Sequence, residues 1–203
     1  MKYFRQVAAL ALSACFVMPG SAQSQQIALT FDDLPSHSAI PQGETRLGIV
    51  ARLVAALADA GVPPSVGFVN GAQVRDDPSL RAVLDVWRSA GHPVGNHTLS
   101  HANLDQVGTE AFTLEIIENE ALLKDLAGET DWRWFRYPYL AEGQDPVRRR
   151  AIRDILRQRH YKVASVTLDF SDWAWNEPYA RCRDRGDAAA IRWMEERYLA
   201  AAD

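Results

Sequence analysis

The sequence has little that would support a disulfide-rich, nucleic-acid-binding or membrane-spanning protein. Its 203 residues include two cysteines, Cys15 and Cys182, which are too few for a disulfide scaffold. The formal net charge is -4, so no basic surface for nucleic acid is indicated. The longest apolar run, Val7 to Met18, is shorter than the roughly 20 residues that a membrane-spanning helix needs. With 47% apolar residues, the chain is long enough for one well-buried domain.

The N-terminus has the composition of an export signal. Lys2 and Arg5 precede the apolar run, and small residues at 20–22 offer a cleavage site. We therefore expect residues 1–22 to be a signal peptide and residues 26–203 to form a periplasmic or extracellular domain. The alternative is a lipoprotein signal with a lipid anchor at Cys15. We prefer ordinary secretion because the apolar run continues beyond that cysteine.

After this segment, short β-like runs alternate with helical patterns, which predicts a parallel α/β architecture. The predicted strands are 27–31, 65–69, 92–95, 132–137 and 161–168. The predicted helices are 45–60, 78–90, 109–127, 145–159 and one from Asp187 onward. A barrel built from these elements would be unclosed, and the last helix has no stop signal. We therefore expect this chain to be a fragment of a longer protein.

Two stretches offer metal ligands. His97 and His101 are four residues apart, and on one helical turn both imidazoles could face a single ion. Asp32 and Asp33 come directly after the first apolar run. Two histidines and one aspartate supply the three protein ligands of a catalytic zinc site, with a position left for water. The sequence thus predicts a zinc-dependent amide hydrolase.

Ionisable residues follow four of the five predicted strands. They are Asp32 and Asp33 after the first strand, His97 and His101 after the third, Arg136 at the end of the fourth, and Asp169 and Asp172 after the fifth. In a β/α barrel the carboxyl ends of the strands meet on one face, where active sites form. We expect these side chains to converge there.

Four motifs in order give the chain a resemblance to a known family. They are Thr30-Phe31-Asp32-Asp33, His97-Thr98-Leu99-Ser100-His101, Arg136-Tyr137-Pro138-Tyr139 and Asp169-Phe170-Ser171-Asp172-Trp173. In this the sequence resembles the polysaccharide deacetylases, the fourth family of carbohydrate esterases, over residues 27 to about 175. The resemblance implies a distorted parallel (β/α) barrel of seven to eight strands, C-terminally incomplete in this chain.

The resemblance also implies a role for each motif residue. Asp33, His97 and His101 would hold a divalent metal, zinc in the first place, with cobalt, nickel and manganese as alternatives. Asp32 would be the general base, kept ionised and oriented by Arg136. The backbone N–H of Tyr139 would donate to the oxyanion, and Trp173 would form a wall of the sugar groove. Asp172 would orient a proton-donating histidine.

That histidine is missing from its expected place. In the family it lies in a Leu-x-His motif on a later strand, and none of His37, His92 and His160 has leucine two positions earlier. We expect His92 and His160 to be structural, whereas His37 could reach the site from its loop. We therefore expect the chain to bind metal better than it catalyses. A second departure is Leu34, where many relatives carry glycine. This departure bears on the identity of the substrate more than on the type of reaction.

We expect a secreted hydrolase that removes N-acetyl or O-acetyl groups from a polysaccharide such as peptidoglycan or a chitin-like glycan. One alternative is a hydrolase of small linear or cyclic amides on the same fold. Another is a carbohydrate-binding relative that has lost catalysis. A non-haem iron oxygenase also uses two histidines and a carboxylate, but the His-x-Asp pair common in those sites does not occur here.

Overall fold

Five short parallel strands form one sheet in the order β1-β2-β3-β4-β5, in a computed structural model that describes residues 27–35 and 38–202. The strands are β1 (Thr30–Leu34), β2 (Val66–Val69), β3 (Val94–Asn96), β4 (Trp134–Phe135) and β5 (Lys162–Val163). Each strand pairs with its neighbour in sequence, as in a (β/α) barrel. The sheet of the described residues is open, with β1 and β5 at its edges.

Helices connect the strands and continue after β5. They are α1 (Arg46–Asp59), α2 (Ala72–Asp76), α3 (Arg81–Ser89), α4 (Leu104–Ala127), α5 (Pro146–Gln158), α6 (Asn176–Arg185) and α7 (Ala188–Ala202). Short 3-10 turns lie at Pro78–Leu80, Pro138–Leu140 and Asp172–Trp175. Among the described residues, no helix combines the length and the apolar character that crossing a membrane requires.

Side-chain caps explain where two of the predicted helices begin. The Thr45 hydroxyl accepts a hydrogen bond from the Gly48 N–H, and Asp145 accepts one from the Val147 N–H, as N-cap residues do. In α4, Gly108 has a left-handed φ of 78° that interrupts the helix. The long part of α4 therefore begins near the predicted start at residue 109.

One face of the sheet, which we call the helical face, carries the core. Side chains of α1, α3, α4 and α5 form one buried cluster with the strands, and Trp87, Phe112, Ile116 and Ile152 are fully buried in it. Gly67 of β2 lets the Leu34 and Trp87 side chains pack directly against the strand, because a Cβ there would lie 2.2 Å from Leu34 and 2.8 Å from Trp87.

The opposite face, which we call the inner face, carries polar side chains. Alternation along β3 and β4 places His97 and Arg136 one residue beyond the strand ends on this face. The guanidinium of Arg136 lies over the Phe68 ring, 4.5 Å from its centroid. The inner face thus brings functional groups to the carboxyl edge of the sheet.

Several predicted boundaries are wrong. β1 covers residues 30–34 instead of 27–31, so Asp32 and Asp33 lie within the strand and do not follow it. β5 covers two residues, Lys162–Val163, instead of eight. Neither α2 nor α6 was predicted. The proposed signal peptide, including Cys15, lies outside the described residues.

Candidate metal centre

A bulge in β1 changes the direction of one carboxylate. Phe31 and Leu34 pair with residues of β2 that are only two apart, so β1 carries one extra residue between them. Asp33 has a left-handed φ of 62° at this point. In a regular strand, Asp32 and Asp33 would point to opposite faces. The bulge instead lets both carboxylates reach the inner face, where they meet different partners.

The segment from His97 to His101 is an irregular loop, and the prediction of a helical turn is wrong. Thr98 and His101 have left-handed φ values of 64° and 61°, and α4 begins only at Leu104. The two imidazoles still meet, with ring centroids 4.9 Å apart.

Side chains of neighbouring elements hold this loop. The Thr98 N–H donates to Oδ1 of Asn96 at 2.9 Å. The Ser100 N–H and hydroxyl donate to the two carboxylate oxygens of Glu115 at 2.6 Å and 2.8 Å. Because the N–H groups of Thr98 and Ser100 have side-chain acceptors, the loop does not need helical hydrogen bonds at these residues.

The bulge and the loop bring three ligand groups together. Oδ1 of Asp33 lies 3.5 Å from Nε2 of His97 and 3.4 Å from Nε2 of His101. One ligand atom from each residue fits within 4.8 Å of the others, a spacing that could hold a metal ion.

The surroundings of this group fit a divalent metal. Oδ1 of Asp33 is buried, yet among the described residues it accepts no hydrogen bond. A buried polar atom without a partner is costly, and a cation between the three residues would satisfy it. Carboxylate and imidazole donors suit zinc and several other divalent metals.

His97 is held in the form that binds metal. Its ring is buried, and its Nδ1 lies 2.8 Å from the Arg136 carbonyl oxygen. A carbonyl can only accept, so Nδ1 carries the proton and Nε2 presents a lone pair. Burial lowers the pKa of His97 to about 4, which keeps the imidazole neutral at neutral pH.

Asp32 is paired with a buried arginine beside this group. Nη1 of Arg136 donates to both carboxylate oxygens at 3.0 Å and 3.2 Å. The guanidinium also donates to the Thr30 hydroxyl and, at 2.6 Å, to the Ala164 carbonyl. Burial raises the pKa of Asp32, and the charge and hydrogen bonds of Arg136 oppose that rise.

The other predicted site residues are more exposed. The Tyr139 ring lies 4.4 Å from the His101 ring, and its backbone has a left-handed φ of 58°. Trp173 is 64% exposed in the 3-10 turn that Asp172 begins. The charge of Asp172 acts on Tyr198 of α7, where it adds to the effect of burial and raises the pKa of that phenol.

Asp169 acts on the centre, in agreement with the expected convergence of the residues that follow the strands. It contributes to the raised pKa of Asp32, which places its negative charge close to that carboxylate. The signal was available, because Asp169 opens the fourth motif and follows β5. The family resemblance implies a role only for Asp172, the second aspartate of that motif.

The three remaining histidines differ in position. His92 lies buried before β3, where its Nδ1 accepts the Ser65 N–H at 3.0 Å. His160 lies exposed before β5. Both are therefore at the amino edge of the sheet, away from the metal ligands. His37 lies outside the described residues.

Leu34 turns away from the centre. Its side chain is buried on the helical face, next to Gly67. Leucine at this position therefore fills part of the core.

Comparison with known proteins adds a second line of evidence. The chain is 28% identical to a peptidoglycan-N-acetylglucosamine deacetylase from Bacillus cereus over 158 residues, which are 78% of this chain and 50% of that protein. It is 30% identical to a chitooligosaccharide deacetylase from Sinorhizobium fredii over 111 residues, 55% of this chain and 45% of that one. The chain thus spans about half the length of these curated relatives.

A solved structure shows the same fold. A polysaccharide deacetylase from Bacillus cereus superimposes with a TM-score of 0.58 at 24% identity, covering 87% of this chain and 73% of that one. The sequence profile of the family described as polysaccharide deacetylase matches residues 20–164, which is more than half of the 203 residues. The chain therefore belongs to the polysaccharide deacetylase family, the fourth family of carbohydrate esterases.

Proposed function

We propose that this protein is an exported, metal-dependent deacetylase that removes N-acetyl or O-acetyl groups from a polysaccharide such as peptidoglycan or a chitin-like glycan. The observation that carries the proposal is the joint placement of the Asp33, His97 and His101 ligand atoms beside an aspartate, Asp32, that a buried arginine holds. A ligand group and a separate base are what hydrolysis by an activated water requires.

Asp33, His97 and His101 would hold the metal, and zinc suits the two-histidine, one-carboxylate donor set. A bound zinc ion supplies Lewis acidity and brings the pKa of a water molecule down to about 7. Cobalt, nickel and manganese are the alternatives that the same donors allow.

Asp32 would accept the proton of the attacking water. Its carboxylate is 30% exposed, so a water molecule can reach it. The two hydrogen bonds from Nη1 of Arg136 fix the direction of the carboxylate, and the Phe68 ring and the Ala164 carbonyl fix the guanidinium in turn. A base held in this way needs little reorganisation during the reaction.

Tyr139, Trp173 and Asp172 would act on the substrate side. The backbone N–H of Tyr139 would donate to the oxyanion of the tetrahedral intermediate. The exposed indole of Trp173 offers an apolar surface on which a sugar ring can pack. Asp172 would orient a proton-donating histidine.

The substrate class is inferred from relatives and from the predicted address. The relatives described above carry names that refer to peptidoglycan and chitooligosaccharides. An exported enzyme would meet such glycans outside the cytoplasm.

The test is release of acetate from N-acetylglucosamine oligomers and from peptidoglycan by the zinc-loaded protein. Small linear and cyclic amides serve as comparison substrates. We expect acetate from the sugars and no turnover of the small amides. Turnover of the amides alone would identify the other hydrolase type, and zinc binding without any turnover would identify a relative that has lost catalysis.

A further inference from the structure

Asn70 lies between the elements that supply the metal ligands. It follows β2 directly, and its residue is 3% exposed. On one side is β1 with Asp33, and on the other is the loop after β3 with His97. Its position in the sheet therefore puts it in reach of both ligand-bearing segments.

Asn70 bonds to both segments. Its backbone N–H donates to the carbonyl of Leu34, the residue after Asp33, at 2.9 Å. Its side-chain amide donates to the carbonyl of His97 at 2.6 Å and to that of Thr98 at 3.1 Å. One residue thus connects the backbone next to Asp33 with the backbone of His97.

The amide supports the strained part of the loop. Thr98 has a left-handed φ, which β-branched residues rarely adopt, and its carbonyl accepts one of the two hydrogen bonds that the Asn70 amide donates. Both hydrogens of the amide have an acceptor, so a substitution cannot keep these bonds unless it supplies two donors at the same place.

A second asparagine supports the same corner from α4. The amide of Asn119 donates to the Val69 carbonyl at 2.7 Å, and its oxygen accepts the Gly71 N–H at 3.0 Å. These bonds fix the residues on either side of Asn70. The Val69 carbonyl also accepts the His97 N–H at 3.2 Å, so the corner and the ligand loop share an acceptor.

We propose that Asn70 is a positioning residue that sets the spacing between the Asp33 and His97 metal ligands through its bonds to Leu34, His97 and Thr98. The inference rests on the proposed function, since it concerns the same centre. Metal–ligand distances tolerate little displacement, and loss of a partner that orients a ligand typically lowers metal affinity about 10–100-fold.

The experiment measures the zinc dissociation constant of the 203-residue protein by competition with a chromophoric chelator at pH 7. Asn70→Asp keeps the shape of the side chain but places an oxygen against two carbonyl oxygens. Asn70→Ser keeps one donor on a shorter side chain. The melting temperature of each metal-free variant is measured alongside the zinc affinity.

The control is Arg88→Ala, which removes hydrogen bonds elsewhere. Arg88 donates to the carbonyls of His92, Leu126 and Ala127 and to the Thr130 hydroxyl, all of which lie outside the ligand group. Loss of these bonds should lower the melting temperature without changing the zinc affinity. The control therefore separates general destabilisation from mispositioned ligands.

We expect Asn70→Asp to weaken zinc binding by about 10–100-fold and Asn70→Ser by a smaller factor. If Asn70→Asp does not fold, the serine variant decides. A folded Asn70 variant with wild-type zinc affinity would overturn this inference but not the proposed metal centre. An Arg88→Ala protein that has a similar melting temperature to the Asn70 variants and loses zinc to the same extent would do the same. A wild-type protein that binds no zinc would overturn the proposed metal centre and this inference with it.

Discussion

Asp32 and Asp33 are neighbours in sequence with different surroundings. Asp33 lies against two imidazoles, and Asp32 lies against a guanidinium. Adjacent carboxylates would repel each other if both were ionised and exposed to the same site. The guanidinium of Arg136 offsets the charge of Asp32, and a bound metal ion would offset that of Asp33, so one residue can bind metal while the other handles a proton.

The Asp32→Asn variant tests this division between the two carboxylates. The amide cannot accept a proton, so acetate release should fall by about 10²–10⁴-fold, the usual contribution of a general base. Zinc content should remain that of the wild type, because Asp32 is outside the ligand group. The measurements are metal analysis and steady-state kinetics.

The control for that variant is Asp154→Asn, which alters an exposed carboxylate of α5 that pairs with Arg157. It should leave both zinc content and acetate release unchanged. Loss of zinc in Asp32→Asn, or activity equal to the wild type, would contradict the assigned roles.

Arg136 makes more contacts than a lysine could reproduce. The guanidinium bonds to Asp32, Thr30 and Ala164 at once. Arg136→Lys keeps the charge but loses the fork geometry. Since a hydrogen bond to a charged group is worth about 1.5–3 kcal/mol, kcat should fall by about tenfold or more.

Arg153→Lys is the matched change on the surface, where Arg153 pairs with Glu142 at an exposed position. Steady-state kinetics on N-acetylglucosamine oligomers should show wild-type kcat for this control. Equal rates in Arg136→Lys and in the wild type would show that the fork does not orient the base.

Among the elements, β2 and α3 show how tightly the helical face is packed. A Cβ on Gly67 would lie 2.2 Å from Leu34 and 2.8 Å from Trp87. Gly67→Ala should therefore lower the free energy of unfolding by about 1–3 kcal/mol, the usual cost of an overpacked core. Urea denaturation measures this change.

Gly48→Ala in α1 is the matched control. A Cβ there would meet the exposed Thr45 hydroxyl at 3.1 Å and an arginine side chain at 3.6 Å, so a shift of a few tenths of an ångström would accommodate it. Alanine also favours a helix over glycine by about 1 kcal/mol, so this variant should be neutral or more stable. A Gly67→Ala variant as stable as the wild type would contradict the packing argument.

The elements also show what the sequence could predict. Hydrophobic periodicity and caps indicated all five strands and the helices α1, α3, α4, α5 and α7, because these signals are local. α2 is five residues long and has no side-chain cap, so it gave no such signal. The bulge at Asp33 depends on pairing with β2, and no local pattern encodes that register.

Residue positions in the site were easier to predict than their geometry. The spacing of His97 and His101 placed both near one point, yet the turn between them is not helical. Its backbone bonds to Asn70, Asn96 and Glu115, which are distant or unremarkable in sequence. Contacts of this kind determine the conformation of the loop, and a single sequence does not reveal them.

For the molecule as a whole, His92 links stability to pH. It is buried against Trp87, and burial lowers its pKa below the usual 6.5. The unfolded chain therefore binds a proton that the folded chain resists. The stability that the folded chain gains by keeping His92 neutral is fully present above about pH 6.5 and is lost as the pH falls below that value.

His92→Gln removes the titrating group and keeps an acceptor for the Ser65 N–H. The free energy of unfolding of the variant should depend less on pH between about pH 6.5 and pH 5 than that of the wild type. Urea denaturation at several pH values measures the difference. Identical pH dependence in the two proteins would contradict a neutral, buried His92.

The central claim is that Asp33, His97 and His101 form a metal centre, and metal content tests it most directly. The 203-residue protein and an Asp33→Ala variant are loaded with zinc, dialysed, and analysed for zinc per chain. We predict about one zinc per wild-type chain and none in the variant, because the variant lacks the only carboxylate of the ligand group. A wild-type chain without zinc, or a variant that keeps it, would contradict the claim.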